Sequence, residues 1–414
     1  MQNESQAANA GALERLRCAS PFLIDLRPAG EVIPGLGERD FLHAGPPLEG
    51  WHEACGALRG AVVGTILHYG LAGETEEAET LVQSGAVRLT PAQDHKAMGT
   101  YAGIIPKRTP VLVVEDRSSG VRAFAALNEG RGKALRYGSH DLETLARLSW
   151  METELAEILR AAVRLGGGID LFAIMTQGLH MGDDCHSRQR ASSALFLTSI
   201  SPLLCDCGFP AKELTRVFRF LSQNDFFFLP LAMAAAKSAL ASIEGSAHST
   251  IVTCMAFNGV RCGIHVSGLG SRWFTAPVPP SQGQYFEGYG PNDAGPIIGD
   301  SEIVETIGLG AFAMAGAPVL ARYIGGTVEQ ATQFTLEMHQ ITLGEHPRFT
   351  IPALGFRGTP CGIDLRRVVE TGIEPVFSTG IAHRMPGIGQ IGAGYSRTPI
   401  ACFREALETG KHPT

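Results

Sequence analysis

The spacing of apolar residues changes along the chain, and the changes divide it into three parts. Up to about residue 140, short apolar runs alternate with polar turns. "PFLIDLR" reads as a strand. "TPVLVVED" and "VRAFAALN" are two apolar runs joined by "RSSG", the pattern of a hairpin. The second run continues into "NEGRGKALRYG", a Gly-rich polar loop. From Asp141 the period lengthens. Leu142, Leu145, Leu148, Leu155, Ile158 and Leu159 recur at helical spacing behind an Asp that can cap them, and "RLGGG" ends the run. Asp170 can cap a second helix, "ASSALFLTSI" reads as a third, and "AKELTRVFRFLSQ" as a fourth.

The last part opens with "FFFLPLAMAAAKSALASI", a helix rich in small and apolar residues. Then Asn258-Gly259 stands between two strand-like runs, where both turn positions need positive φ, so a tight hairpin is expected. "TVEQATQFTLEMHQITLG" starts with a Thr327–Gln330 capping box and predicts a helix, and strands are expected at "FTIPAL" and "EPVFST". The pattern predicts an α/β fold of the mixed α+β kind. Two α/β domains, 1–140 and 231–414, flank a small helical domain, 141–230.

Composition narrows the class. Hydrophobic residues at 44% with charged residues at 18% describe an ordered globular chain. A net charge of −7 argues against a nucleic-acid partner, which requires clustered cations. No charge-free run of about 18 apolar residues occurs, so no membrane span is expected. The start "MQNESQAANAGALERLRC" has no apolar stretch behind a basic tip. The nine Cys are scattered without a CxxC, as reduced thiols are, so a cytoplasmic setting is expected.

The densest chemistry is "LHMGDDCHSR", residues 179–188. On one helix His180 would share a face with Asp183 and Asp184, and Asp183 with His186, a spacing that suits a divalent metal or an acid–base site. Gly182 is a poor helix-interior residue, and a break there makes Asp183 or Asp184 the cap of the next helix. "GIGQIGAG" matches GxGxxG through Gly387, Gly389 and Gly392. Too few residues follow for the βαβ unit of a dinucleotide fold, so no NAD is expected. What remains is a Cβ-free loop whose N–H groups can approach an anion. "GDSEIVETIGLGAFAMAG" sets Asp300, Glu302 and Glu305 ahead of an expected Gly/Ala-rich helix. Acidic groups suit a helix start, and Asp300 and Glu305 are also candidates for carboxylates with separated pKa values. "LNEGRGKALRYG" groups Asn128, Glu129, Arg131, Lys133 and Arg136, which suits either a solvated loop or an anion pocket. His383, after an expected strand, is a further candidate acid or base. The motifs of serine hydrolases, P-loop ATPases, zincins and kinases are missing.

Taken in order, "LHMGDDCHSR", "STIVTCMAFNGVRCGIHVSGLGSRWFTAP", "GDSEIVETIGLGAFAMAGAP", "FRGTPCGIDLRRVVETGI" and "TGIAHRMPGIGQIGAG" resemble a bacterial family long known only as a domain of unknown function. Some of its members resemble a subunit of oxamate carbamoyltransferase from anaerobic allantoin degradation, a branch of nitrogen metabolism. The resemblance runs from about residue 40 to the end. It implies an enzyme subunit acting on a carbamoyl or amide C–N bond, which interconverts oxalurate plus phosphate with oxamate plus carbamoyl phosphate. It also implies synthetase-like partner subunits and a homo-oligomer. A non-catalytic assembly subunit and a metal-dependent amidohydrolase are the alternatives.

On that reading His180 or His186 gives or takes the proton, oriented by Asp183 or Asp184, with His383 as the alternative acid. Arg188 and Arg190 bind the anionic end of the substrate. Asn258 and the N–H groups near Gly387 and Gly389 hold an oxyanion or phosphate. Asn128, Glu129, Asp300 and Glu305 complete the expected binding set. His180, Asp184 and His186 are expected in one pocket, facing "TGIAHRMPGIGQ" across an interdomain cleft, within the same chain or across a dimer interface.

Overall fold

The computed structural model describes residues 2–130 and 132–411. Arg131 of the proposed anion loop therefore lies outside the described residues. The fold is mixed α/β, as the spacing predicts. A five-stranded sheet runs in the order Ala97–Met98, Arg122–Ala126, Pro110–Asp116, Pro21–Pro28, Ile169–Asp170. The expected hairpin is its centre: Pro110–Asp116 and Arg122–Ala126 pair antiparallel, and Pro21–Pro28 pairs antiparallel on the other side. The Asn258-Gly259 turn joins Val252–Asn258 to Arg261–Val266 in a four-stranded sheet. A three-stranded sheet places Gln390–Arg397 between Gln282–Tyr285 and Val376–Ala382.

Most of the predicted caps form. The Asp141 carboxylate accepts from the Thr144 N–H at 2.9 Å, Asp170 from Ala173 at 3.0 Å, and the Thr327 hydroxyl from Gln330 at 3.1 Å. The helix after Asp141 is not uniform. Leu142–Trp150 passes through a π-helical turn, Met151–Leu155, before Ala156–Leu165. The helix Leu229–Ala241 is buried on every face, because its alanines let sheet and helices approach closely. Its one charged residue, Lys237, reaches Glu244 at 2.7 Å.

The apolar core crosses the expected boundaries near residues 140 and 230. One cluster joins Leu16, Leu26 and Leu112 to Leu159, Phe172 and Phe196 of the helices, and to Ile303, Phe349 and Cys361. One expectation fails. The Gly/Ala-rich stretch after Glu305 is not a continuous helix. It is a short helix, Ile303–Thr306, followed by a kinked 3-10 segment, Gly310–Gly316. Gly308 and Gly310 take φ of 102° and 58°, which break helical geometry, and a side chain on Gly310 would occupy the space of the Glu305 carboxyl.

Candidate active site

The helix Leu171–His180 ends before Gly182, and the loop from Asp183 to Gln189 leads into the helix Arg190–Asp206. Asp183 caps that second helix from a distance. One of its oxygens accepts from the Ser192 N–H at 2.6 Å and the Ser192 hydroxyl at 2.9 Å, while the other takes the Arg188 guanidinium. Asp184 folds the loop around itself. It accepts from the N–H groups of His186 at 3.0 Å, Ser187 at 3.2 Å and Arg188 at 2.8 Å, and from the Ser378 hydroxyl at 3.0 Å. Cys185, between Asp184 and His186, is held at φ 62°, a left-handed conformation that a side chain disfavours by about 1 kcal/mol or more.

His186 Nδ1 lies 2.8 Å from Glu305 Oε1, and both side chains are buried. Glu305 is fixed in turn by the N–H groups of Ala311 at 2.9 Å and Ser378 at 3.0 Å. Burial opposes charge on His186, but Glu305, helped by Glu302 and Asp184, outweighs it and pushes the imidazole up to about 9. His186 is therefore a cation at neutral pH. Burial pushes Glu302 up to about 8 and Asp300 up to about 7, and it raises Asp184 as well. Glu302 is then mostly protonated at pH 7, which limits the negative charge around His186.

His186 and Ser187 open onto a narrow cleft with about 50 Å³ of free volume. All three sequence segments build it: Tyr101, Arg136 and Tyr137 on one side, Thr379, Gly380 and Gln390 on another. The Arg136 guanidinium is its cation. This side chain is 7% exposed, gives Nη2 to the Gly130 carbonyl at 2.6 Å and stacks 4.5 Å over the Tyr137 ring. Its Nε has no partner, and among the described residues no carboxylate pairs with it. Tyr101, beside it, sits at φ 55°, and its ring lies 4.9 Å from that of Tyr137. A buried cation without a counterion, next to a charged imidazole, suits a small anion that loses its water on entry.

Several expected residues lie elsewhere. His180 does not share this cleft. It is exposed at a helix end, where Nε2 bonds Thr350 Oγ1 at 3.0 Å and the ring meets Phe356. The break at Gly182 (φ 91°) turns the chain before His186, so the two histidines face different ways. Asn258 is fully buried and used as a turn lock: its oxygen accepts from Val260 and Arg261, and its amide donates to Pro46 O at 2.9 Å. His383 accepts from the Met385 N–H at 3.0 Å and stands 4.0 Å from Asp293, outside the cleft lining. Gly387 and Gly389 turn the chain at φ 81° and 104°. The Gly387 N–H is already given to Tyr137 O at 2.8 Å, so this loop shapes the cleft wall from behind.

Asn128 and Glu129 fold their own loop. Asn128 accepts from Gly130 N–H, and Glu129 accepts from the N–H groups of Leu135 and Arg136, which places the Arg136 side chain. Asp300 accepts from Gly45 N–H at 3.0 Å behind the cleft. Arg188 is tied to Asp183, and Arg190 is exposed on a neighbouring annex. Among the described residues no group of three or more His, Cys, Asp and Glu side chains is placed to hold a metal ion. Among them, too, no helix is long and apolar enough to cross a membrane.

Comparison with known proteins fixes the lineage. The family described as "Oxamate carbamoyltransferase subunit AllG" matches residues 87–301. The Escherichia coli protein of that name is 44% identical over 97% of this chain and 96% of its own length. The chain belongs to the AllG family. An uncharacterized Escherichia coli protein, YahG, is 43% identical over 97% of this chain and 85% of its own length. A crystal structure of a conserved Enterococcus faecalis protein of unknown function superposes with a TM-score of 0.96 at 42% identity, covering 98% of this chain and 97% of that one. The AllG-matched segment contains Arg136 and His186, while Glu305, Ser378 and Gln390 lie beyond it. Sequence reasoning placed Ser378, Thr379 and Gln390 in no site, because single polar residues on strands carry no spacing signal.

Proposed function

We propose that this chain supplies a carbamoyl-transfer site to a multi-subunit enzyme, acting between a ureido acid of the oxalurate type and phosphate. The observation that carries the reading is the buried His186–Glu305 pair opening beside the uncompensated Arg136 guanidinium. The kinship with the oxamate carbamoyltransferase subunit supports the same chemistry.

Arg136 holds the substrate carboxylate, and the cleft walls exclude water. A phosphate oxygen attacks the carbamoyl carbon, and the bond from that carbon to the amide nitrogen breaks. Amide nitrogen is a poor leaving group, so it must take a proton as it departs. The His186 imidazolium gives that proton, held in orientation by Glu305, and regains one from the phosphate hydroxyl. The products are the free amide acid and carbamoyl phosphate, and atoms and charge balance. Asp184, Ser187 and Ser378 keep the loop rigid, which fixes the donor's position.

The test is carbamoyl phosphate formation from oxalurate and phosphate by the chain assembled with its partner subunits. His186→Gln in the assembled enzyme is expected to lose about 10²-fold or more in kcat. A fully active variant would return this chain to an assembly role.

A further inference from the structure

Beside the cleft lies a second space of about 290 Å³, reached past Ser187 and Phe226, which line both. Arg188, Gln189 and Arg190 line it together with Asp225, Val319 and Tyr323. Arg190 is exposed and has no hydrogen bond or ion pair among the described residues. Arg188 spends Nη1 on Asp183, and the rest of its fork has no hydrogen bond among the described residues. Asp183 itself is saturated by Arg188 and Ser192, so an incoming anion does not meet a bare carboxylate there.

Gln189 is the buried polar side chain of the annex. The residue is 1% exposed, and its Nε2 donates to the His186 carbonyl at 3.1 Å, which fixes which end of the amide is oxygen. That oxygen, Oε1, has no donor among the described residues. A buried acceptor without a donor is costly, and a ligand that supplies one removes the cost. Two guanidinium groups ask for an anion; the orphan oxygen asks that the anion carry a proton.

We propose that this annex is a separate subsite for a protonated tetrahedral anion, monohydrogen phosphate or a phosphate of that form, bound by Arg188 and Arg190 with its hydroxyl given to Gln189. The inference rests on the proposed transfer reaction for its role, since it holds the phosphate beside Ser187 before the attack, ahead of the step in which the hydroxyl proton leaves Gln189 for His186. Its binding chemistry stands without that reaction. Sulfate has the same shape and charge but no proton at neutral pH, so the site discriminates against it.

Calorimetric titration of the purified full chain with sodium phosphate, sodium sulfate and AMP tests this without turnover. Phosphate is expected to bind, and sulfate to bind about tenfold or more weakly, the worth of one buried hydrogen bond. Arg190→Ala is expected to weaken phosphate about tenfold or more, the worth of one charge-assisted hydrogen bond. Gln189→Leu is expected to bring phosphate and sulfate within about threefold of each other, because the proton is no longer read. His186→Gln should leave phosphate binding intact. No phosphate binding, equal affinity for phosphate and sulfate in the unaltered chain, or no effect of Arg190→Ala overturns the subsite. Binding of AMP but not phosphate overturns its assignment to the free anion. A chain that binds phosphate in this way but transfers no carbamoyl group keeps the subsite and sinks the proposed reaction.

Discussion

His180 and His186 stand six residues apart in one polar motif and live in different worlds. His180 is the last residue of a helix, exposed to solvent, with a threonine hydroxyl and a phenylalanine ring for neighbours. His186 is 4% exposed, paired with a buried carboxylate and raised to about 9. Nothing in the residue type separates them. The separation comes from Gly182, which reverses the chain, and from Asp184, whose carboxylate gathers the next four residues into a tight turn. Chemistry follows from where the backbone delivers a side chain, and in this loop a glycine and an aspartate decide the delivery.

The largest expected effect divides the two histidines outright. His186→Gln should cost the assembled enzyme about 10²-fold or more in kcat, whereas His180→Ala should leave kcat within about threefold, because it touches neither cleft nor annex. Equal losses in the two variants would erase the distinction.

Glu305→Gln comes next. With the carboxylate gone, the leading cause of the raised His186 value disappears while burial remains, so the imidazole must titrate at lower pH. The expected readout is an NMR titration of His186 moved to lower pH, together with an activity profile whose alkaline limb moves the same way and a fall in kcat of roughly tenfold. A loss of kcat with an unmoved alkaline limb would mean that Glu305 acts only as a packing residue.

The same cluster predicts a pH dependence of stability. His186 is raised above its ordinary 6.5, so its contribution is full below pH 6.5 and is lost as pH rises through about 9. Glu302 is raised above 4.5 to about 8, so the fold prefers its protonated form and loses stability as pH rises from 4.5 to 8. Both terms have the same sign between pH 6.5 and 8. The melting temperature should therefore fall across that window, and His186→Gln should flatten the fall. A melting temperature that rises from pH 6.5 to 8 contradicts the assigned charges.

The smallest effects test the structural side of the loop. Asp183→Ala removes the cap of the helix Arg190–Asp206 and should destabilise the fold by about 1–2 kcal/mol in a urea titration. His180→Ala should change stability by no more than about 0.5 kcal/mol. If the order of these two were reversed, the cap at Asp183 would be the wrong account of that carboxylate.

Much of the fold was legible because it rests on local signals. Asp141, Asp170 and Thr327 cap the helices expected of them, and the Asn258-Gly259 turn closes its hairpin. The stretch after Glu305 was misread because small apolar residues fit a helix equally well as a glycine-kinked segment. Only the Glu305 carboxyl, pressed against Gly310, shows why the glycines are there. In the site, "LHMGDDCHSR" announced its density but not its geometry. His186 meets Glu305 across 119 positions and Ser187 meets Ser378 across 191, distances over which no periodicity speaks. Asn258 looked like a free donor and is a turn lock, because the strongest hairpin signal and the best candidate donor were the same side chain. Arg136 was grouped with other cations in a Gly-rich loop. That no carboxylate pairs with its guanidinium among the described residues is a property of the folded chain alone.

The apolar cluster that joins Leu16 to Cys361 bears on how the protein is made. The helix Gln2–Cys18 leaves the ribosome long before the strands Thr342–Ile351 and Arg357–Ile363, against which it packs. Its apolar face must wait for those strands to be synthesised, exposed to other surfaces in the meantime. Synthesis thus sets a long interval in which this helix is open to a chaperone, until the two strands that cover it arrive.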